Sequence, residues 1–221
     1  MTGRALVTGG TGKLGAPLVE RLRRERWAVV ATGRRDGDVS RRAEAHALVE
    51  RAVAELGGLD LLVLAAGGGF QPKPLAELGE DDVEAAFGAT VKGTLFVAQA
   101  AAEHLRASRG VAIVIEDVAA YTPWPAFAAH SAAKAAQAML TRVLARALAP
   151  EVRVCGIAPG AVAVEPGQEE RRATETLLGR VGSSDDVADA MLYLAAARFA
   201  TGTTLVLDGG RMLQSAGVLD A

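Results

Sequence analysis

At 221 residues, half of them apolar and with a formal charge of -2, the chain has the material for one α/β domain with a sizeable core. The near-neutral balance gives no global reason to expect nucleic acid or an acidic membrane as partner, and no apolar run approaches the ~20 residues that span a bilayer. A single cysteine, Cys155, excludes an internal disulfide framework and, lying in a strand pattern, reads as a buried structural thiol. Met1-Thr2-Gly3-Arg4 leads directly into a strand pattern rather than a signal peptide, so a cytoplasmic protein is expected.

The first predicted strand, Ala5 to Val7, runs into Thr8-Gly9-Gly10-Thr11-Gly12-Lys13-Leu14-Gly15, and a helix is predicted near 14 to 25. A strand, a glycine turn and a helix N-terminus make a dinucleotide pyrophosphate site. Glycines let the backbone approach a diphosphate without a Cβ clash, and the free N–H groups of the first helical turn point at the anion. Lys13 adds a full positive charge there; a tight βα turn with no ligand is the alternative for this segment.

A second strand, Ala28 to Ala31, is followed by Arg34 and Arg35, then by a helix near 41 to 56 and a strand at Leu61 to Leu64. A long helix is predicted near 80 to 107, a strand at Val111 to Ile115, and another long helix near 127 to 149 that Pro150 stops. A strand follows at Val152 to Ile157, a helix near 184 to 197 with N-cap chemistry in Ser183-Ser184-Asp185-Asp186, and a last strand at Thr204 to Leu207. Near-continuous apolar strands separated by helices mean a Rossmann-type, doubly wound parallel sheet covered on both faces, with ligands at the carboxyl ends of the strands. No linker or repeat divides residues 1–221, which read as a single domain. The segment from Pro159 to about Gly179, with Pro166, Gly167 and the charged run Glu169-Glu170-Arg171-Arg172, lies where a mobile cover over the site would be; a solvated surface turn is the other reading. The chain has no asparagine, and twenty arginines against four lysines. Asparagine depletion is a mark of proteins from hot environments, while arginine in place of lysine follows equally from genome base composition.

Five segments now fall in order: Thr8 to Gly15, Asp38-Val39, Asp60 to Gly67, the His130 to Lys134 helix start, and Pro159-Gly160 after a strand. Together they resemble the short-chain dehydrogenase/reductase family over essentially the full chain. Within it the chain is most similar to the pteridine reductases, which carry a basic residue in the glycine loop where Lys13 stands, and Asp at the catalytic Ser position, as Asp117 does here. Phe70-Gln71-Pro72-Lys73-Pro74-Leu75 resembles their segment whose Phe ring stacks on the pterin, with core packing the alternative for Phe70; Thr201-Gly202 and Asp208-Gly209-Gly210-Arg211 are similar to their ending.

The resemblance implies a nicotinamide cofactor. Gly9, Thr11, Gly12, Lys13 and Leu14 would surround its pyrophosphate, Asp38 and Val39 would frame its adenine, Ala65, Ala66, Gly67, Pro159 and Gly160 would line its groove, and Lys134 would hold the nicotinamide ribose. Arg34 and Arg35 stand where a member using NAD would usually carry an acidic residue. Two guanidiniums there favour a 2'-phosphate through bidentate, charge-assisted bonds, so NADP(H) is expected, a solvated surface pair being the alternative. Only Asp36-Gly37 separates the arginines from Asp38, which implies that one helix and one edge strand of the usual family fold are missing. Six strands would remain, with the second at an edge. Relatives pack through the two long helices, so the resemblance also implies a homo-dimer or homo-tetramer, which the Ala-rich faces here would permit.

The family's catalytic Asn, Ser, Tyr and Lys positions are held here by Thr90, Asp117, His130 and Lys134. Chain-wide avoidance of asparagine covers Thr90 but not His130, because Tyr121 and Tyr193 show that tyrosine is permitted. Hydride delivery to a C=O or C=N leaves negative charge that a placed proton donor must quench, and imidazole can do that. Lys134 one helical turn away would disfavour the protonated ring, and a nearby Asp117 would favour it. The expected function is therefore NADPH-dependent reduction of a small planar C=N or C=O compound, a pteridine among them, with Asp117, His130 and Lys134 catalytic and Phe70, Tyr121 and Trp124 as substrate wall. The alternative, of a different class, is a catalytically silent NADP(H)-binding sensor or assembly protein on the same fold. His46, His104 and His130 are scattered without ligand spacing, so no metal is expected.

Overall fold

The computed structural model describes residues 3–214. Met1 and Thr2, part of the expectation about the start of the chain, lie outside them. Six strands form one all-parallel sheet: β1 (Arg4–Thr8), β2 (Ala28–Thr32), β3 (Leu61–Leu64), β4 (Val111–Ile115), β5 (Arg153–Pro159) and β6 (Thr204–Leu207), in the order β2-β1-β3-β4-β5-β6. The helices between them are α1 (Gly15–Arg24), α2 (Arg42–Leu56), α3 (Glu80–Phe87), α4 (Gly93–Ser108), α5 (Ala128–Leu148), α6 (Glu169–Ala173) and α7 (Ser184–Ala196).

Alternate residues of a strand point to opposite faces, and here both faces are apolar, so each needs its own helical layer. Leu6, Leu62, Val114 and Val154 pack on one side with Leu48 of α2, Leu105 of α4 and Leu148 of α5. Val7, Val63, Ile113 and Ile157 pack on the other with Leu18 and Leu22 of α1 and Met191 of α7. Cys155 is a free, buried thiol of this second layer, as expected. After β2 the chain leaves β1 on one side, and β3 returns to pair on its other side. That reversal opens a crevice above the carboxyl ends of β1 and β3, where the backbone is free to meet a ligand.

β2 is at the sheet edge, as expected from the short segment after it. Gly33 N–H donates to the Asp36 carboxylate at 2.8 Å, and the resulting tight turn passes the chain straight to α2 with no further strand or helix. The long helix expected near 80 to 107 is not continuous. A π-helical turn at Gly88–Lys92 separates α3 from α4. The reason is close approach: a Cβ on Gly93 would lie 2.8 Å from the Val39 side chain, so the backbone runs directly beneath the β2–α2 connection and widens to do so. Ser183 starts α7 as expected, its hydroxyl accepting from Asp186 N–H at 3.2 Å while the Asp186 carboxylate accepts from Ser183 N–H at 2.7 Å. Among the described residues no helix is long and apolar enough to cross a membrane.

Candidate active site

The loop after β1 is wound as its glycines allow. Gly9 has φ +68°, and a Cβ on it would lie 2.6 Å from the Ala65 carbonyl; a Cβ on Gly15 would lie 2.1 Å from the Gly9 carbonyl. The first turn of α1 therefore sits directly on the loop, with its amides facing the crevice. A cleft of about 920 Å³ opens there and brings together Gly9, Thr11, Gly12, Arg34, Arg35, Asp38, Val39, Ala65, Ala66 and Gly67. It continues into a second cleft of about 1050 Å³ through shared walls at Gly9, Gly12, Arg34, Ala65 and Gly67, where Lys13, Leu14, Gly160, Phe70, Asp117, Trp124, His130 and Lys134 are found. Two expected residues lie outside both. Pro159 is the buried last residue of β5, so Gly160 alone forms that wall. Tyr121 is the other.

Tyr121 is turned away from the cleft, which corrects its expected place in the substrate wall. Its hydroxyl donates to Glu116 Oε2 at 2.8 Å, and burial pushes the phenol up from its ordinary pKa. Glu116 is itself buried, and its Oε1 accepts from the hydroxyls of Thr141 at 2.6 Å and Thr204 at 3.2 Å. Room for it comes from Gly156 on β5, where a Cβ would lie 2.1 Å from Oε1. A buried carboxylate with three hydroxyl donors gives the half-buried phenol its acceptor.

At the nucleotide end, the Asp38 carboxylate accepts from Ser40 N–H at 2.9 Å, and hydrogen bonding from Ser40 holds it below the usual carboxylate range. Lys13 Nζ lies 2.8 Å from Glu165, so the glycine loop is joined to the segment after β5. That segment forms one wall of the second cleft through residues 160–165, Gln168 and Arg172.

At the other end, α5 presents His130 from its first turn. The ring is buried, its Nε2 3.3 Å from Asp117 Oδ2 and its Nδ1 without a partner. Asp117, just beyond β4, is fixed by Ala119 N–H, which donates to its other oxygen at 2.8 Å. Phe70 meets the His130 ring edge-on at 4.9 Å and stacks on Phe127 at 4.7 Å. With 54% of its surface exposed, Phe70 is cleft wall and not core.

Lys134 follows His130 by one helical turn and is buried at the back of the cleft. Its Nζ donates to the Ile115 carbonyl at 3.0 Å, the Glu116 carbonyl at 3.4 Å and Gln137 Oε1 at 2.9 Å, so all three N–H bonds meet protein acceptors. Burial pulls its pKa down to about 8, against the opposing pull of Asp117 and Glu116. Gln137 in turn donates to Thr94 Oγ1 at 2.9 Å, and Thr94 to the Thr90 carbonyl at 2.7 Å, which ties the π-helical turn to the lysine. Among the described residues no cluster of three or more His, Cys, Asp or Glu side chains is placed to hold a metal ion.

The family model described as enoyl-(acyl carrier protein) reductase matches residues 6–211. The chain belongs to the short-chain dehydrogenase/reductase family. A 4-formylbenzenesulfonate dehydrogenase of Comamonas testosteroni is 32% identical over 243 residues, covering 94% of this chain and 96% of that one. That alignment is longer than this whole chain, so the relative carries residues that are absent here. A 7α-hydroxysteroid dehydrogenase solved with NADH and 7-oxo glycochenodeoxycholic acid superimposes with a TM-score of 0.85 at 28% identity, covering 94% of this chain and 93% of that one. A 3-ketoacyl-(acyl-carrier-protein) reductase of Brucella melitensis, solved with NADH, gives 0.86 at 25% identity over 94% and 97%. As a short-chain dehydrogenase/reductase the protein is an oxidoreductase of the nicotinamide-dependent kind.

Proposed function

We propose that this short-chain dehydrogenase/reductase uses NADPH to reduce a small planar C=O or C=N compound, with His130 as proton donor in place of the family's tyrosine. The observation that supports this most directly is the His130–Asp117 pair, 3.3 Å apart, in the cleft that is continuous with the glycine loop. The residues present fit a dinucleotide: a loop too tight for any Cβ at Gly9 or Gly15, a helix N-terminus above it, and two exposed guanidiniums beyond β2. Gly9, Thr11, Gly12 and Lys13 would hold its diphosphate, Arg34 and Arg35 its 2'-phosphate, Asp38 and Val39 its adenine, and Ala65, Ala66, Gly67 and Gly160 its flanks. When bound, it supplies the hydride.

The chain's own contribution is position and a proton. Asp117 holds the imidazole in place; the imidazolium form would give its Nε2 proton to the substrate oxygen or nitrogen as negative charge develops there, leaving a neutral ring protonated at Nδ1. Lys134 places a positive charge behind the pair and would hold the nicotinamide ribose hydroxyls. Phe70 and Trp124 give an aromatic wall against which a planar substrate, pteridines included, would pack. Exposed Leu95 on α4 and Met139 and Val143 on α5 support assembly of a homo-oligomer through these two helices.

The test is NADPH oxidation by the purified protein against dihydropteridines and a panel of aromatic aldehydes and diketones. Turnover of a planar member supports the assignment. NADPH binding without turnover of any member would replace it with a cofactor-binding protein that has given up catalysis.

A further inference from the structure

Glu175, just beyond α6, gathers more positive charge than it can neutralise. Its Oε2 lies 2.7 Å from Arg211 Nη2, and its two oxygens lie 3.1 and 3.0 Å from Arg172 Nη1. Arg171 approaches the same carboxylate at 3.7 Å. The Asp208 carboxylate is used within the C-terminal turn, accepting from the N–H groups of Gly210 and Met212 at 2.8 Å each. Tying α6 to the C-terminal turn needs one arginine on Glu175. The second leaves positive charge on the wall, and Arg172 and Arg211 both line the cleft that holds His130.

Arg211 is also fixed from below, its guanidinium 4.9 Å over the Trp124 ring. Trp124 meets Phe127 at 6.0 Å, Phe127 stacks on Phe70, and Phe70 meets His130, so a run of aromatic rings leads from the His130–Asp117 pair to the guanidinium. Arg211, Arg172 and Glu175 are 21%, 31% and 26% exposed at the side chain, so the group is partly shielded from water and from salt. A planar guanidinium already held in place by a carboxylate and an aromatic face loses little freedom on accepting an oxyanion.

We infer that Arg211 and Arg172, held by Glu175 over Trp124, form an anion subsite, and that the substrate is a planar aromatic or heteroaromatic compound with its C=O or C=N group at His130 and a carboxylate, sulfonate or phosphate at the far end. The carbonyl half of this statement rests on the reductase function proposed above; the anion half stands on the arginines.

The two halves separate in a binding experiment that needs no turnover. Calorimetric titration of the full chain, in the presence of NADP, compares 4-formylbenzoate with its uncharged methyl ester. The parent protein is expected to bind the carboxylate at least about tenfold more tightly, the scale of one charge-assisted hydrogen bond. Arg211→Met or Arg172→Met brings the ratio towards one, Arg211→Lys keeps part of it, and Glu175→Gln widens it by freeing the guanidiniums. Equal binding of acid and ester, no binding of either, or variants that shift both ligands by one common factor would overturn the subsite. Discrimination without any turnover keeps the subsite and removes the reductase; turnover of neutral compounds without discrimination does the reverse.

Discussion

Lys134 makes a prediction about stability that can be worked through from its surroundings. Burial lowers its pKa from 10.5 to about 8, so between these values the folded chain has released a proton that the unfolded chain still holds. Stability then rises with pH across that window, because the unfolded state binds more protons. The shift corresponds to about 3 kcal/mol, gained between pH 8 and 10.5 and absent below 8, where both states are charged. Tyr121 works in the opposite sense: with its phenol pushed up, stability falls as pH rises past 10. Urea denaturation of the parent and of Lys134→Met, taken from pH 7 to 10.5, removes that contribution by difference. Lys134→Met leaves Gln137 Oε1 without its donor at every pH, which offsets the curves but does not tilt them. The parent should gain about 3 kcal/mol on the variant over the window. Curves that stay parallel, or a Lys134 resonance that titrates near 10.5, would refute the reasoning; with only four lysines in the chain, that resonance is readily assigned.

Three further outcomes follow from the geometry. Replacing both Arg34 and Arg35 by alanine should raise the KM for NADPH by at least about tenfold and leave that for NADH little changed, measured by steady-state kinetics with the two cofactors side by side. Gly156→Ala puts a methyl group 2.1 Å from Glu116 Oε1 and should cost about 1–3 kcal/mol in chemical denaturation. Combined with Glu116→Ala it should cost less than the sum of the two single changes, since both alter one contact. The proposed assembly through α4 and α5 predicts a parent heavier than a monomer in light scattering and a Met139→Glu variant, changed on an exposed face of α5, shifted to monomer; a monomeric parent or an unchanged mass would remove that interface.

All six strands were legible in the sequence because each is a short apolar run between breakers, and the glycine loop because its residue types follow directly from the approach it must allow. The break at 88–92 was not, since Gly88 and Gly93 are tolerated within a helical pattern and only the approach of Val39 decides that the helix must widen there. Tyr121 looked like a wall residue because an aromatic side chain in a loop beside the site has two ways to bury its ring, and the partner that settles the matter, Glu116, directly follows an apolar strand, where a carboxylate is ordinarily taken as solvated. The one sequence signal was the small residue Gly156 on the neighbouring strand. Arg172, Glu175 and Arg211 lie far apart in the chain or inside a charged run, and their meeting depends on loop paths that periodicity does not encode. His130, Asp117 and Lys134 were legible as positions, while the three acceptors around Lys134 emerged only from the packing.

The central claim is that His130 supplies the proton, and the most direct measurement compares NADPH turnover and NADPH affinity in the parent, His130→Ala and His130→Tyr. The account predicts a parent that turns over, an alanine variant whose kcat falls by about 10²–10⁴-fold with NADPH affinity little changed, and a tyrosine variant that retains activity. A His130→Ala variant as active as the parent, or a silent parent that gains activity with tyrosine, would contradict it.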